Sequence, residues 1–203
     1  MKLSLTFILL LCTTLAYSQY AKLENHVGVE LKGREANLAK KYMTCVNSHQ
    51  FNAKQRRTFF PFPSAVSVKL ISFQADTFSI QPIAPNHFLI DTTLLKESHL
   101  LSSAAIDSLT DILYNVGYTP IKLPFKLADP GRNCYDPRNA ILFLNAEGIV
   151  AQYIELCFEC ERYFLSSSKI KNTEYCEQKF EMLRQFFFER GIKYGTAPRE
   201  SNN

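Results

Sequence analysis

The sequence predicts an α+β fold, a small antiparallel or mixed sheet that ends in a C-terminal hairpin and carries helices on one face. Three observations predict it. Apolar runs from Ala140 to Asn145 and from Ile149 to Cys160 are separated by Ala146-Glu147-Gly148, the pattern of a hairpin with a glycine-containing loop. Ala105, Leu109, Ile112, Leu113 and Val116 form a helix-spaced apolar stripe that starts after a serine N-cap, Ser102 or Ser103, and stops at Gly117. A last helix starts near Asn172 or Thr173, with Glu174 and Glu177 complementing the positive end of its dipole and Cys176, Phe180, Leu183 and Phe187 as its stripe, and stops at Gly191.

In chain order, Met1 and Lys2 lead into an apolar run from Leu3 to Leu15, and Ala16-Tyr17-Ser18 supplies small residues where a signal peptidase reads. The run is shorter than the roughly twenty residues a bilayer-spanning helix needs. Residues 1–18 therefore read as a cleaved signal peptide that leaves Gln19 as the new terminus of a periplasmic or secreted chain. Leu11 is bulky where a lipobox requires a small residue, which argues against a lipid anchor at Cys12. No later apolar stretch is long enough to span a membrane, so the mature chain is expected to be soluble.

Residues 19–63 read as an extension holding one helix, Ala36 to Asn47, with Leu38, Ala39, Tyr42, Met43 and Val46 at helical spacing. The segment Lys54-Gln55-Arg56-Arg57-Thr58-Phe59-Phe60-Pro61-Phe62-Pro63 is basic, then aromatic. Its prolines forbid an amphipathic helix, so a loop that tucks its phenylalanines under the next strand is expected rather than a membrane-surface patch. The α+β domain proper runs over 64–203. It opens with strands at Ala65 to Gln74 and at His87 to Thr92, and a proline-broken connection from Thr119 to Pro137 precedes the hairpin.

The chain of 203 residues carries a net charge of +4, and loss of Lys2 with the leader lowers it to +3. That is too mild to imply a nucleic-acid partner. Phe and Tyr number 16 and 10 while Trp is absent, which predicts an aromatic core and disfavours a sugar-stacking platform. No sequence feature specifies a partner or an oligomeric state.

Removing Cys12 leaves Cys45, Cys134, Cys157, Cys160 and Cys176. Export makes them disulfide candidates first. Alternation along the strand puts Cys160 on the apolar face with Ile154 and Leu156, and Cys176 on the helix stripe faces the same core, so Cys160 with Cys176 and Cys134 with Cys157 are the expected pairs. A two-residue hairpin loop would set position 134 opposite 159, which gathers these four cysteines at one end of the hairpin. Cys45 is then the odd thiol.

Two alternatives stay open for the same four residues, Cys134, Cys157, Cys160 and Cys176. The C-x-x-C arm Cys157-Phe158-Glu159-Cys160 is compatible with a tetrahedral zinc site, whose thiolates lie at about 2.3 Å. It is also the spacing of a thiol-disulfide motif, although Glu155, Glu159 and Glu161 disfavour the thiolate and no helix opens at the pair. Cys45 and His49, four apart on the first expected helix, would share a face and form half a dyad or metal site. The loop Asn133-Cys134-Tyr135-Asp136-Pro137-Arg138 reads as a turn in which Asp136 and Arg138 satisfy local charge, with a ligand site as the alternative.

No G-x-S-x-G elbow, H-E-x-x-H, P-loop or dinucleotide fingerprint occurs, and His26, His49, His87 and His99 are scattered without ligand spacing. The expectation is a non-enzymatic binding or structural module without a cofactor; the alternatives are a zinc or thiol-disulfide protein and a hydrolase whose residues are not motif-encoded. The run Cys134-Tyr135-Asp136-Pro137-Arg138-Asn139-Ala140-Ile141, with Glu155-Leu156-Cys157-Phe158-Glu159-Cys160, Cys176-Glu177-Gln178-Lys179-Phe180 and Gly191-Ile192, resembles a group of uncharacterised exported bacterial proteins. The resemblance covers roughly the last seventy residues and implies kinship without an activity.

Overall fold

A computed structural model describes residues 31–127, 134–171 and 173–197. The expected signal peptide, residues 1–18, lies outside them. In chain order the elements are α1 (Gly33–Met43), β1 (Cys45–Asn47), α2 (Ala53–Arg56), β2 (Ser67–Phe73), β3 (Gln81–Ala84), β4 (His87–Leu89), β5 (Leu95–Leu100), α3 (Ser103–Tyr114), β6 (Val116–Tyr118), β7 (Asn139–Leu144), β8 (Val150–Cys157), β9 (Arg162–Leu165) and α4 (Lys179–Glu189).

The α+β class predicted from the sequence is the class observed. Seven strands form an antiparallel sheet in the order β3-β4-β8-β7-β2-β5, with β9 also pairing β8, and β1 pairs β6 in a separate two-stranded ribbon. β7 lies at the centre and is buried along its whole length, because apolar side chains alternate to two covered faces. Ile141 and Phe143 join Val68, Leu70, Ile154 and Leu156 on the helix face, under Leu109 and Leu113 of α3 and Phe180, Leu183 and Phe187 of α4. Ala140, Leu142 and Leu144 point the other way with Ile71, Phe73 and Tyr153, and the chain between β2 and β5 covers them with Phe78, Ile80, Phe88, Ile90 and Leu94.

The hairpin β7–β8 forms as expected, but its loop is longer. Ile141 stands opposite Ile154 and Asn139 opposite Leu156, two residues beyond the expected register: the Asn145 side chain accepts from the Glu147 and Ile149 amides and organises a wider turn, and a bulge between Phe143 and Leu144 adds to the shift. β5 gave no clear signal in the sequence, since Leu95-Lys96-Glu97-Ser98-His99-Leu100 places polar residues along a sheet edge. The strand expected at His87 to Thr92 is cut short, because the Asp91 side chain accepts from the Thr93 amide and hydroxyl and starts a helical turn.

Three helix boundaries move. α1 ends at Met43 rather than Asn47, because Cys45-Val46-Asn47 leaves the helix to pair with Val116-Gly117-Tyr118. α3 is capped by Ser102, whose hydroxyl accepts from the Ala105 amide, and it ends before Gly117. Gly117 has another role: a Cβ there would lie 2.4 Å from Glu174 Oε2, the oxygen that accepts from the Tyr118 amide. α4 starts at Lys179, six residues later than expected from Thr173, because the chain before it is held to the β1 end of the molecule: the Glu177 amide donates to the Met43 carbonyl, and the Gln178 side chain accepts from the Cys45 amide. Gly191 follows α4 at φ +83°, as its stop role requires.

The basic-aromatic segment turns inward. α2 is held by a capping box between Asn52 and Gln55, and Phe62 is buried in the helix-face core with Phe59 and Phe60 packed against it. Arg56 is buried against α3, donating to Thr110 Oγ1, to the Phe51 carbonyl and to the Asp107 carbonyl, with Asp111 3.2 Å away. Arg57 pairs with Asp107 at 2.8 Å. These arginines are spent on an internal joint.

Candidate functional site

The C-x-x-C segment forms the reversal between β8 and β9. Cys157 closes β8 opposite Arg162, the four residues between them make the turn, and Glu161 adopts φ +54°. Over this turn lies the loop that enters β7. Arg138 donates to Asp136 at 2.7 Å and to Glu159 at 2.9 Å, tying loop to turn. Tyr135 donates its phenol to Glu155 Oε2 at 3.0 Å, and the Cys157 thiol donates to the Asp136 carbonyl at 3.3 Å.

The disulfides are Cys45–Cys176 and Cys134–Cys160, and Cys157 is the free, buried cysteine among the described residues. Both expected pairings, Cys160 with Cys176 and Cys134 with Cys157, are therefore corrected, as is Cys45 as the odd thiol. The wider hairpin loop and the bulge at Phe143/Leu144 together account for the first exchange. Continued past the strand ends, the observed register carries position 134 towards 161 and so beside Cys160. The late start of α4 accounts for the second, because Cys176 stands outside the helix and meets Cys45 on the extended segment.

This arrangement disassembles the four-cysteine zinc centre. Cys176 belongs to a different part of the molecule from Cys134, Cys157 and Cys160, and among the described residues no group of three or more His, Cys, Asp or Glu is placed to hold a metal ion. The Cys45/His49 dyad is likewise lost. Cys45 lies in β1 and bonds Cys176, while His49 follows in a left-handed turn with its amide donating to the Asn47 side chain.

On the face opposite the helices, three rings line up along β8, from Phe88 of β4, opposite Val150, to Phe164 of β9 near the cysteine turn. Phe88 and Tyr153 have centroids 5.0 Å apart, and Tyr153 and Phe164 6.0 Å. Phe164 is opposite Glu155 in the β8–β9 register and is 48% exposed, while Tyr135 is 45% exposed. An aromatic row that is exposed at its Phe164 end and buried at Tyr153 thus adjoins a phenol–carboxylate pair. Burial pushes the Glu155 carboxyl above its usual range, an effect the Tyr135 hydrogen bond opposes, and burial together with Glu155 holds the Tyr135 phenol protonated.

The chain matches no protein-family model, no curated protein and no solved structure. Chemical reading of this region therefore rests on its own geometry. It presents apolar rings, one hydrogen-bonded carboxyl and the paired charges of Arg138, Asp136 and Glu159, a set suited to holding a flat or apolar group with a polar edge.

Sequence reasoning located the Asp136–Arg138 ion pair, but it read Ile149 to Cys160 as one strand, whereas β8 ends at Cys157 and the chain turns back there to pair as β9. It missed the aromatic row, because Phe88 and Phe164 lie in short strands far apart in the chain and only pairing with β8 brings them to Tyr153. It also missed Lys179, whose flanks read as an ordinary helix surface. This lysine is fully buried and donates to the carbonyls of Leu113, Val116 and Glu174 at 2.8, 2.8 and 2.7 Å.

Proposed function

We propose that the chain is an exported, soluble, non-catalytic binding module, periplasmic or secreted, and kin to the exported group that its C-terminal cysteine pattern resembles. Its Cys134–Cys160 disulfide braces the loop beside a recognition face. The observation that carries this reading is the exposed pair Phe164 and Tyr135, the first ending the row Phe88, Tyr153 and Phe164 and the second hydrogen-bonded to Glu155. Exposed aromatic side chains fixed on strands lose little entropy on binding and mark recognition surfaces. Cys134–Cys160 anchors the loop that carries Tyr135 to the turn that follows Glu155, so the two halves of the face are covalently joined. Two disulfides in a chain of this size accord with an oxidising compartment.

Affinity capture from the exported fraction of the producing cell tests the reading, with the wild-type protein and Phe164→Ser as baits. The expected result is a molecule retained by the wild type and reduced at least tenfold on the variant. Equal retention by both, or retention by neither, overturns it. N-terminal sequencing of the protein recovered from that fraction is expected to begin at Gln19.

A further inference from the structure

We propose that Cys157 and the Cys134–Cys160 bond form an intramolecular thiol–disulfide relay that delivers a reactive thiol to the surface at Cys134. Three observations carry it. Cys157 and Cys160 flank the first half of one tight reversal, with Cys157 at the end of β8 and Cys160 inside the turn. The Cys157 thiol is in contact with the Asp136 carbonyl, 3.3 Å away and two residues beyond Cys134, so the segment bearing Cys134 passes directly over it. The Cα atoms of Cys134 and Cys160 are 5.7 Å apart, which places both sulfurs of the bond beside the free thiol's turn.

Burial gives the exchange a direction in space. Cys157 and Cys160 are 1% and 3% exposed, whereas Cys134 is exposed. The Cys157 thiol loses its proton to solvent, and its thiolate attacks Cys160 Sγ. The Cys157–Cys160 bond forms as the Cys134–Cys160 bond breaks, and Cys134 leaves as a thiolate. One disulfide replaces another, so no oxidant or reductant is consumed. The Cys134 thiolate then attacks the disulfide of a small thiol, such as glutathione disulfide, forming a mixed disulfide at Cys134 and releasing one equivalent of the reduced thiol. A buried, inert sulfhydryl is thereby converted into an attachment point at the rim of the aromatic face. Because the attacking thiol is buried and Glu155 and Glu159 lie close in sequence, the exchange belongs to the minutes-to-hours range of uncatalysed disulfide rearrangement.

The test is alkylation of the native, oxidised protein with excess N-ethylmaleimide at pH 8, followed by peptide mapping without reduction. Cleavage after Phe158 or Glu159 separates Cys157 from Cys160. The expected result is time-dependent label on Cys134, an equal yield of Cys157–Cys160 linked peptide and an unchanged Cys45–Cys176 bond. In Cys157→Ser the label on Cys134 is expected to fall at least tenfold. Label on Cys157 with Cys134–Cys160 intact, no label at all, or undiminished label on Cys134 in the variant overturns the relay. A second variant checks the geometry independently of the rate. Cys134→Ser, with native circular dichroism verified, is expected to close a Cys157–Cys160 bond in glutathione disulfide; persistent dithiol or two separate glutathione adducts overturns the proposal.

Discussion

Lys179 shows how much a single side chain settles in this molecule. Its ammonium sits at the junction of α3, β6 and the chain before α4, and its three N–H bonds match three carbonyl oxygens, two of which belong to the C-terminal turn of α3 and to β6. Burial pushes its pKa down to about 7, against the pull of Glu174. Lys179→Met leaves those carbonyls unpaired and is expected to lower unfolding free energy by about 3 kcal/mol at neutral pH in urea melts. The pH dependence has a definite sign. The unfolded chain keeps this proton up to about 10.5 while the folded chain gives it up near 7, so the wild type gains stability as pH rises through that window. That gain is expected to be absent from the methionine variant. A second residue-scale prediction concerns Gly195, which adopts φ +75° and whose Cβ position lies 2.5 Å from Asn139 Oδ1 and 2.9 Å from Arg138 Cβ. Gly195→Ala combines left-handed strain with a clash against backbone-anchored atoms, and thermal unfolding is expected to show a loss of about 2–4 kcal/mol.

At the scale of elements, the disulfides act where regular structure ends. Cys45–Cys176 joins β1 to the irregular chain before α4 across a separation of 131 residues, and Cys134–Cys160 joins the loop before β7 to the β8–β9 turn across 26. Loop-closure entropy assigns about 5 kcal/mol to the first and about 3.5 kcal/mol to the second when each is removed alone. The double alanine variants are therefore expected to rank in that order in denaturant melts, with Cys45→Ala/Cys176→Ala the weaker protein. The opposite ranking would place the dominant effect in native packing at the cysteine turn. The β1–β6 ribbon is short, and its partner connections, Glu177 to Met43 and Gln178 to Cys45, depend on the same bond for their position. Loss of the Cys45–Cys176 bond is thus expected to increase amide exchange in 45–47 and 116–118 before it does so in β7.

At the scale of the whole molecule, one sheet separates two cores, with helices closing one face and the β2–β5 chain closing the other. No described helix is long and apolar enough to cross a membrane. Since Cys157 is the free cysteine among the described residues and is buried, thiol titration of protein prepared from Gln19 onward is expected to find no fast-reacting sulfhydryl in native buffer and one per chain after unfolding without reductant. Two or more after unfolding would show that a disulfide is open in the native protein.

The sequence by itself determined the α+β class, the β7–β8 hairpin, helix α3 with a serine cap at Ser102 or Ser103 and the stop of α4 at Gly191, because each rests on local periodicity or on one residue's backbone preference. It also determined that the C-x-x-C segment and the loop bearing Cys134, Asp136 and Arg138 lie close, since hairpin register alone brings them together, although it carried the strand through Cys160 where the chain turns. Tertiary structure decided which sulfurs bond, where α1 and α4 yield to β1 and to the irregular chain before Lys179, and which aromatic residues form the row that ends at exposed Phe164. Those outcomes depend on a hairpin register moved by a wider loop and a bulge at Phe143/Leu144, and on contacts between segments up to 131 residues apart. Period and propensity act over a few neighbours; pairing between distant segments is settled by the packing of the whole chain.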